Sequence, residues 1–306
     1  MPEILAAADI GSNTLHMLVA KCNGQNRAKS IIRLENQSEW ISLGEVVSQK
    51  GIIPPAEISR LISTLKKYRL IATDLKAEGF YVFATEAVRA AANHQQVLEK
   101  IFLETGLKVE IIHPVRESEL SWNGSLLDSK DPSPTLFVEL GGGSVQVAFC
   151  LGPKIKESIS LPLGTGRLIA ETQLHYPCKP FQMDSLKETI HKNLQKCLSF
   201  AAPSRIVASG GAARGLLRAL HPDKERILRL EELEYLSWAT ARMSIDQSSA
   251  RFGVKKKRAM TLLPGTLVFL YLMRKFMIQE MMVSEYGVRE GAILEMMEGK
   301  IIPCRL

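Results

Sequence analysis

Two short glycine-rich segments, each led by a carboxylate, carry the residues whose types and spacing suit chemistry: DIGSNT at 9–14 and ELGGGS at 139–144. Turns rich in Gly and Ser present successive backbone N–H groups with no side chain in the way, which is what a phosphate group needs. Gly11, Ser12, Asn13 and Thr14 are therefore candidate phosphate contacts in the first turn, and Gly141, Gly142, Gly143 and Ser144 in the second. Asp9 and Glu139 would repel a phosphate directly. Their sensible role is through Mg²⁺, a hard cation that prefers oxygen ligands and bridges carboxylates to phosphate oxygens. The triple glycine has a plainer reading as a hairpin or bulge. A third element, Gly210-Gly211, stands where a strand opens into a helix, so that the helix N-terminus would face an anion; close strand–helix packing is an equal alternative.

These turns need rigid elements to hold them. ILAAADI and TLHMLVAKC read as two strands joined by the first turn, and TLFVEL and VQVAFC as two strands joined by the second. Ile58, Leu61, Ile62, Leu65 and Tyr68 recur at helical spacing, which predicts a helix over 58–75. A strand at 80–84 then leads into an alanine-rich helix opened by Thr85 or Glu86. A helix over about 95–106 ends at Gly106, and 108–114 reads as a strand. The order of strands and helices implies an α/β domain. After DSKDPSP at 128–134, a linker by composition, the pattern restarts. A strand in KESISLPLG at 156–164, helices over about 182–199 and 230–248, a strand entering Gly210-Gly211 and a late helix–strand–helix segment follow. The two hairpins match element by element about 130 residues apart, far above the roughly 20–50 residue period of a solenoid. Two similarly built lobes are expected, each with one acid-plus-glycine turn on the wall of a shared cleft.

Bulk properties narrow the rest. The chain has 306 residues, enough for two domains, and is 46% hydrophobic and 23% charged. No apolar run reaches the roughly 18 residues of a membrane span; TLVFLYLM at 266–273 is closed by Arg274 and Lys275. A cytoplasmic protein with no membrane partner is expected. Five cysteines, with no CxxC pair, argue against a disulfide framework or zinc site. His16, among apolar residues, reads as structural. The net charge of +7 favours anionic ligands, but KKKR at 255–258 comes with no nucleic-acid-binding signature and reads as a solvated edge, so no specific nucleic-acid partner is expected. The Met-rich stretch 266–282 reads as core, with a homodimer interface as the alternative.

The chain also resembles the Ppx/GppA family of exopolyphosphatases and guanosine pentaphosphate phosphohydrolases, within the superfamily of sugar kinases, Hsp70 and actin. The resemblance rests on DIGSNT, on ATEAVRAAAN at 84–93, on ELGGGSVQ at 139–146, on LPLGTGRL at 161–168, on ASGGAARGL at 208–216 and on SEYGVREGAI at 284–293, all in the family's order. It implies an α/β fold of two actin-like (ribonuclease H-like) domains around a central cleft, over 1–127 and 128–306, with a C-terminal helix at 288–306 able to pack back on the first. It also implies linear polyphosphate or pppGpp as substrate, and Mg²⁺ as cofactor. By the same resemblance Glu117, in EIIHPVRESEL, is the catalytic base, and Arg89 binds phosphate as a fork of donors.

Several positions differ from the family pattern. The second turn begins with Glu139 in place of Asp, and Gln146 stands where a Glu is usual. Glu119 replaces an arginine, Met260 follows Arg258-Ala259 in place of an acid, and His16 replaces a basic group. These changes spare the binding residues and alter the charge balance around them. A Mg²⁺-dependent phosphohydrolase is thus the leading expectation, and a polyphosphate- or (p)ppGpp-binding relative with weak or lost hydrolysis the alternative.

Overall fold

The computed structural model describes residues 3–23, 31–197 and 200–306, and its contacts divide the chain into two compact units, residues 1–128 with 286–306 and residues 129–285. The first unit begins with β1 (Glu3–Ile10), β2 (Thr14–Cys22) and β3 (Ile31–Trp40), followed by α1 (Leu43–Lys50) and α2 (Pro55–Asp74). Then come β4 (Gly79–Ala84), α3 (Glu86–Ala90), α4 (His94–Thr105), β5 (Val109–Ile111) and α5 (Pro114–Ser125). The sheet order is β3-β2-β1-β4-β5, antiparallel across the first three strands and parallel from β1 to β4 to β5; the short strand Cys304–Arg305 pairs with the start of β4.

Side chains alternate across a strand, and here the alternation divides two cores. Ala6, Ala8 and Ile10 of β1, Leu15, Met17 and Val19 of β2 and Phe80 and Val82 of β4 join Leu61, Leu65 and Tyr68 of α2. Leu5, Ala7, Leu18, Ala20, Tyr81 and Phe83 turn the other way, onto Leu120 of α5 and Ala292 and Ile293 of the C-terminal helix Val288–Met297. Covered on both faces, β1 is a near-continuous apolar run, as a buried strand should be.

The second unit repeats the plan. β6 (Thr135–Leu140), β7 (Val145–Leu151), β8 (Lys154–Leu161), α6 (Thr165–Glu171) and α7 (Pro180–Leu194) come first. β9 (Arg205–Ser209), α8 (Gly210–Leu220), β10 (Ile227–Arg229), α9 (Leu230–Arg242), α10 (Ile245–Arg251), α11 (Lys256–Lys275) and β11 (Glu280–Val283) complete it. The order β8-β7-β6-β9-β11, with β10 added at the edge, reproduces the strand directions of the first unit. In the Met-rich stretch, Phe269, Met273 and Met281 are fully buried in the core of this unit, whereas Met277 is exposed.

Some elements differ from the sequence expectations for identifiable reasons. The alanine-rich helix stops at Ala90, because Ala91 is extended and the Asn93 side chain both accepts from Ile53 N and donates to Ile53 O, each at 2.9 Å. The strand expected over 108–114 ends at Ile111, since Pro114 opens α5. The helix expected over 230–248 breaks at Met243, where Ser244 caps a new one: its Oγ accepts from Gln247 N at 3.2 Å, and Gln247 Oε1 accepts from Ser244 N at 2.9 Å. The helix expected to 199 ends at Leu194, and residues 198–199 of that range lie outside the described residues. Strand β3 and helix α1 were not expected at all, because β3 is an edge strand of mostly half-exposed or exposed residues without a clean apolar alternation.

Candidate functional site

Each glycine turn sits at the tip of its unit's first hairpin, at the C-terminal end of the central strand. In the first unit the turn closes with Gly11 N donating to Thr14 O at 3.0 Å. Its carbonyls are then consumed by the chain that follows β3: Gly44 N donates to Ser12 O at 2.7 Å, and Ile41 N and Ser42 N donate to Asn13 O at 2.9 and 3.0 Å. The approach is so close that a Cβ on Gly44 would lie 2.8 Å from the Ser12 Cβ.

The second unit does the same with α6. Gly141 N donates to Ser144 O at 3.0 Å, and Thr165 N, Gly166 N and Arg167 N donate to the carbonyls of Gly141 and Gly142 at 3.0, 2.9 and 3.1 Å. The Arg167 side chain adds a bond from Nε to Gly143 O at 3.0 Å. This explains the LPLGTGRL segment physically: a Cβ on Gly164 would come within 2.3 Å of the Gly142 carbonyl and of Gly143 N. With these carbonyls bonded by the following chain and Gly11 N and Gly141 N closing the hairpins, the remaining turn N–H groups are the donors an anion could use.

The carboxylates occupy corresponding places. Asp9 pairs across the sheet with His16 on β2 and Phe83 on β4, and Glu139 with Gln146 on β7 and Ser209 on β9. Glu139 is buried and Asp9 half-buried. Both are hard oxygen donors beside glycines without side chains. A Cβ on Gly11 would meet Asp9 Oδ2 at 3.8 Å, and one on Gly210 would meet the Glu139 Cγ at 3.3 Å and Leu140 O at 3.0 Å. Each carboxylate by itself is the kind of hard oxygen donor that Mg²⁺ takes. Gly210 also has φ 89°, a left-handed backbone that excludes side chains, so β9 turns into α8 directly against Glu139. Both readings of Gly210-Gly211 thus have a physical basis: Gly210 is needed for packing, and the helix N-terminus it starts is at the second turn.

Glu117 lies half-buried in the first turn of α5, with its N–H donating to His113 O at 3.0 Å. α5 is fixed by its partner, the C-terminal helix. Arg116 grips the nearly buried Glu295 carboxylate with both terminal nitrogens, one of them at 3.0 Å from Oε1. Glu119 is exposed and 3.5 Å from Arg116, so its charge is directed to that guanidinium. Arg89 donates to Ile112 O at 2.8 Å, tying α3 to the connection that leads into α5; a guanidinium has five N–H donors, so this bond leaves capacity for an anion. His16 is bonded to Thr14 Oγ1 at 2.8 Å, a structural partner for the turn.

One residue at the first turn was missed by sequence reasoning. The Ser12 hydroxyl donates to Glu86 Oε2 at 2.9 Å. Ile10 and Ala84 are register partners on parallel strands, and Thr85 N donates to Ile10 O at 3.2 Å, which brings the start of α3 beside the glycine turn. The signal was present as an acid two residues after the buried strand β4, but only the parallel β1–β4 pairing makes it a neighbour. In the second unit, Gln146 Nε2 donates to Ser144 Oγ at 3.0 Å and to Ser160 Oγ at 3.4 Å.

Two α/β units of the same strand order, each with a glycine turn and an acid at the end of its central strand, define the actin-like, ribonuclease H-like class. The profile of the Ppx/GppA phosphatase family matches residues 21–300, and the chain belongs to that family. Exopolyphosphatase 1 of Mycobacterium leprae (strain TN) is 26% identical to it, over 97% of this chain and 90% of that protein. Exopolyphosphatase 1 of Mycobacterium tuberculosis (strain ATCC 25618 / H37Rv) is 27% identical, over 97% and 89%. Among solved structures, the Aquifex aeolicus member of the Ppx/GppA family aligns with a TM-score of 0.84 and 26% identity, over 99% of this chain and 100% of that one. A Cytophaga hutchinsonii exopolyphosphatase shares the fold at a TM-score of 0.89 and 22% identity, over 99% and 100%. No helix among the described residues is long and apolar enough to cross a membrane.

Proposed function

We propose that this protein is a Mg²⁺-dependent phosphohydrolase that releases terminal phosphate from a linear polyphosphate chain. The observation that carries the proposal is the shared construction of the two glycine turns, each with its carbonyls bonded from behind and a carboxylate at its base. Membership of a phosphatase family and the likeness to two exopolyphosphatases 1 support the same substrate class. Gly11 N and Gly141 N close the hairpins, so the phosphate oxygens are held by the other backbone donors of the two turns, with Arg89 in the first unit. Asp9 in the first unit and Glu139 in the second would each offer a carboxylate to Mg²⁺, which when bound neutralises phosphate charge. Glu117 accepts a proton from the attacking water as the new P–O bond forms at the terminal phosphorus and the bridging P–O bond breaks, leaving the chain one phosphate shorter. Phosphoryl transfer asks chiefly for positioning and charge neutralisation, so one base suffices. pppGpp is the second substrate of this class.

A binding protein with little turnover is the other reading. The specific feature in its favour is Gln146, a neutral amide bonded to Ser144 where a carboxylate would supply charge. Phosphate release from polyphosphate and pppGpp, with Mg²⁺ or with EDTA, separates the two. Turnover that needs Mg²⁺ and falls about a thousandfold in Glu117→Gln supports hydrolysis. Tight binding without product selects the binding protein.

A further inference from the structure

The two turns hold their serines by opposite hydrogen bonds. A serine hydroxyl has one proton to donate and two lone pairs to accept with. At the first turn, the Ser12 proton is committed to Glu86 Oε2 at 2.9 Å, so what Ser12 can still offer is an oxygen lone pair. Asp9 lies within β1 opposite Phe83 of the parallel strand β4, and Glu86 follows two residues after β4 ends, so both acids belong to the same end of the sheet. At the second turn the amide of Gln146 donates to Ser144 Oγ, which leaves the Ser144 proton for an outside acceptor. Gln146 is 1% exposed and Ser144 6%, so water does not compete for this bond. Gln146 also stands directly opposite Glu139 in the β6–β7 register, where a second carboxylate would face the first.

We infer that each turn selects its own charge: Glu86 makes the Ser12 turn cation-directing, and Gln146 makes the Ser144 turn phosphate-directing. Glu86 is thus a positioning residue for the metal side and Gln146 a specificity-determining residue for the anion side. The inference rests on the reading of both turns as phosphate and Mg²⁺ sites, but its readout is binding, not turnover.

The test measures Mn²⁺ alone by electron paramagnetic resonance, and tripolyphosphate alone in EDTA by calorimetry, on the full chain. Glu86→Gln is expected to weaken Mn²⁺ binding about fivefold or more without weakening tripolyphosphate. Gln146→Glu is expected to do the reverse, weakening metal-free tripolyphosphate about fivefold and strengthening Mn²⁺. Wild-type Mn²⁺ affinity in natively folded Glu86→Gln, or wild-type tripolyphosphate affinity in natively folded Gln146→Glu, overturns the inference. Should either variant misfold, Ser144→Ala and Ser12→Ala decide: the inference requires tripolyphosphate affinity to fall in the first and not in the second, and the opposite order overturns it. A wild-type protein that binds neither probe overturns this inference and the proposed function together. One that binds both probes as described but releases no phosphate overturns the hydrolytic reading alone.

Discussion

Gly291, in the C-terminal helix, lies so close to α5 that a Cβ built on it would stand 1.8 Å from the carbonyl oxygen of Leu120. Gly124 makes the reciprocal contact, since its Cβ would meet Gly287 O at 2.1 Å. The neighbour in each case is backbone and has no rotamer to yield, so the two helices would have to part. Gly291→Ala should therefore cost about 3 kcal/mol and disturb α5, the helix carrying Glu117. Urea denaturation followed by circular dichroism checks this; an unchanged midpoint would show that the helices slide without cost.

The same two helices are joined by charge. Glu295 is 5% exposed and its carboxylate is held by Arg116, itself about one-third exposed. Because solvent screens the arginine side, Glu295→Ala should destabilise by about 2 kcal/mol, below the 3–5 typical of a fully buried pair. An Arg116→Ala/Glu295→Ala double variant should be less destabilised than the sum of the singles. Strict additivity in that cycle would mean that the two side chains do not couple.

Gly164 tests how the second turn is shaped. A methyl group there collides with the backbone of Gly142 and Gly143, so Gly164→Ala should displace the turn. Tripolyphosphate affinity should fall at least about tenfold, while far-ultraviolet dichroism stays native. Retained affinity would separate the shape of this turn from ligand binding.

Thiol chemistry reports on the cores. Burial pushes the thiols of Cys22 and Cys150 up to about 12 and that of Cys197 up to about 11. In native protein at pH 8 iodoacetamide should modify Cys178 and Cys304, which are half-buried, and spare the other three. The sign for stability follows. A folded-state pKa above the unfolded value favours the folded, protonated form below about pH 9, and that contribution is lost as pH rises through 11–12. Denaturation midpoints should fall across that alkaline window, and mass spectrometry of the alkylated protein reads the site pattern.

Much of the fold was legible along the chain because its signals are local. The apolar face of Ile58, Leu61, Ile62, Leu65 and Tyr68 is a helix stripe whatever surrounds it, and all five residues are buried in α2. Gly106 ends α4 in a left-handed conformation, as a C-terminal glycine should. Strand β3 was illegible because its side chains are mostly half-exposed or exposed; what makes it a strand is pairing with β2, which no local pattern records.

The candidate site divides along the same line. Asp9, Glu139 and the two glycine turns announce themselves by residue type, since a turn that must bare its backbone leaves few choices but Gly and Ser. Their repetition also marked the two-lobed plan. The direction of the Ser12 hydrogen bond, by contrast, depends on a partner brought in by the fold. Glu86 reaches Ser12 from 74 residues away through the β1–β4 pairing, whereas Gln146 reaches Ser144 from two residues further along the same arm of the hairpin. Likewise nothing near SEYGVREGAI says that Gly291 must touch Leu120, because that contact exists only once the end of the chain returns to α5. Sequence determined which groups could meet phosphate and metal. Tertiary structure decided which way the Ser12 proton points and how the end of the chain meets α5, because hydrogen bonds and close contacts depend on distance and direction, and here these arise only when remote segments pack.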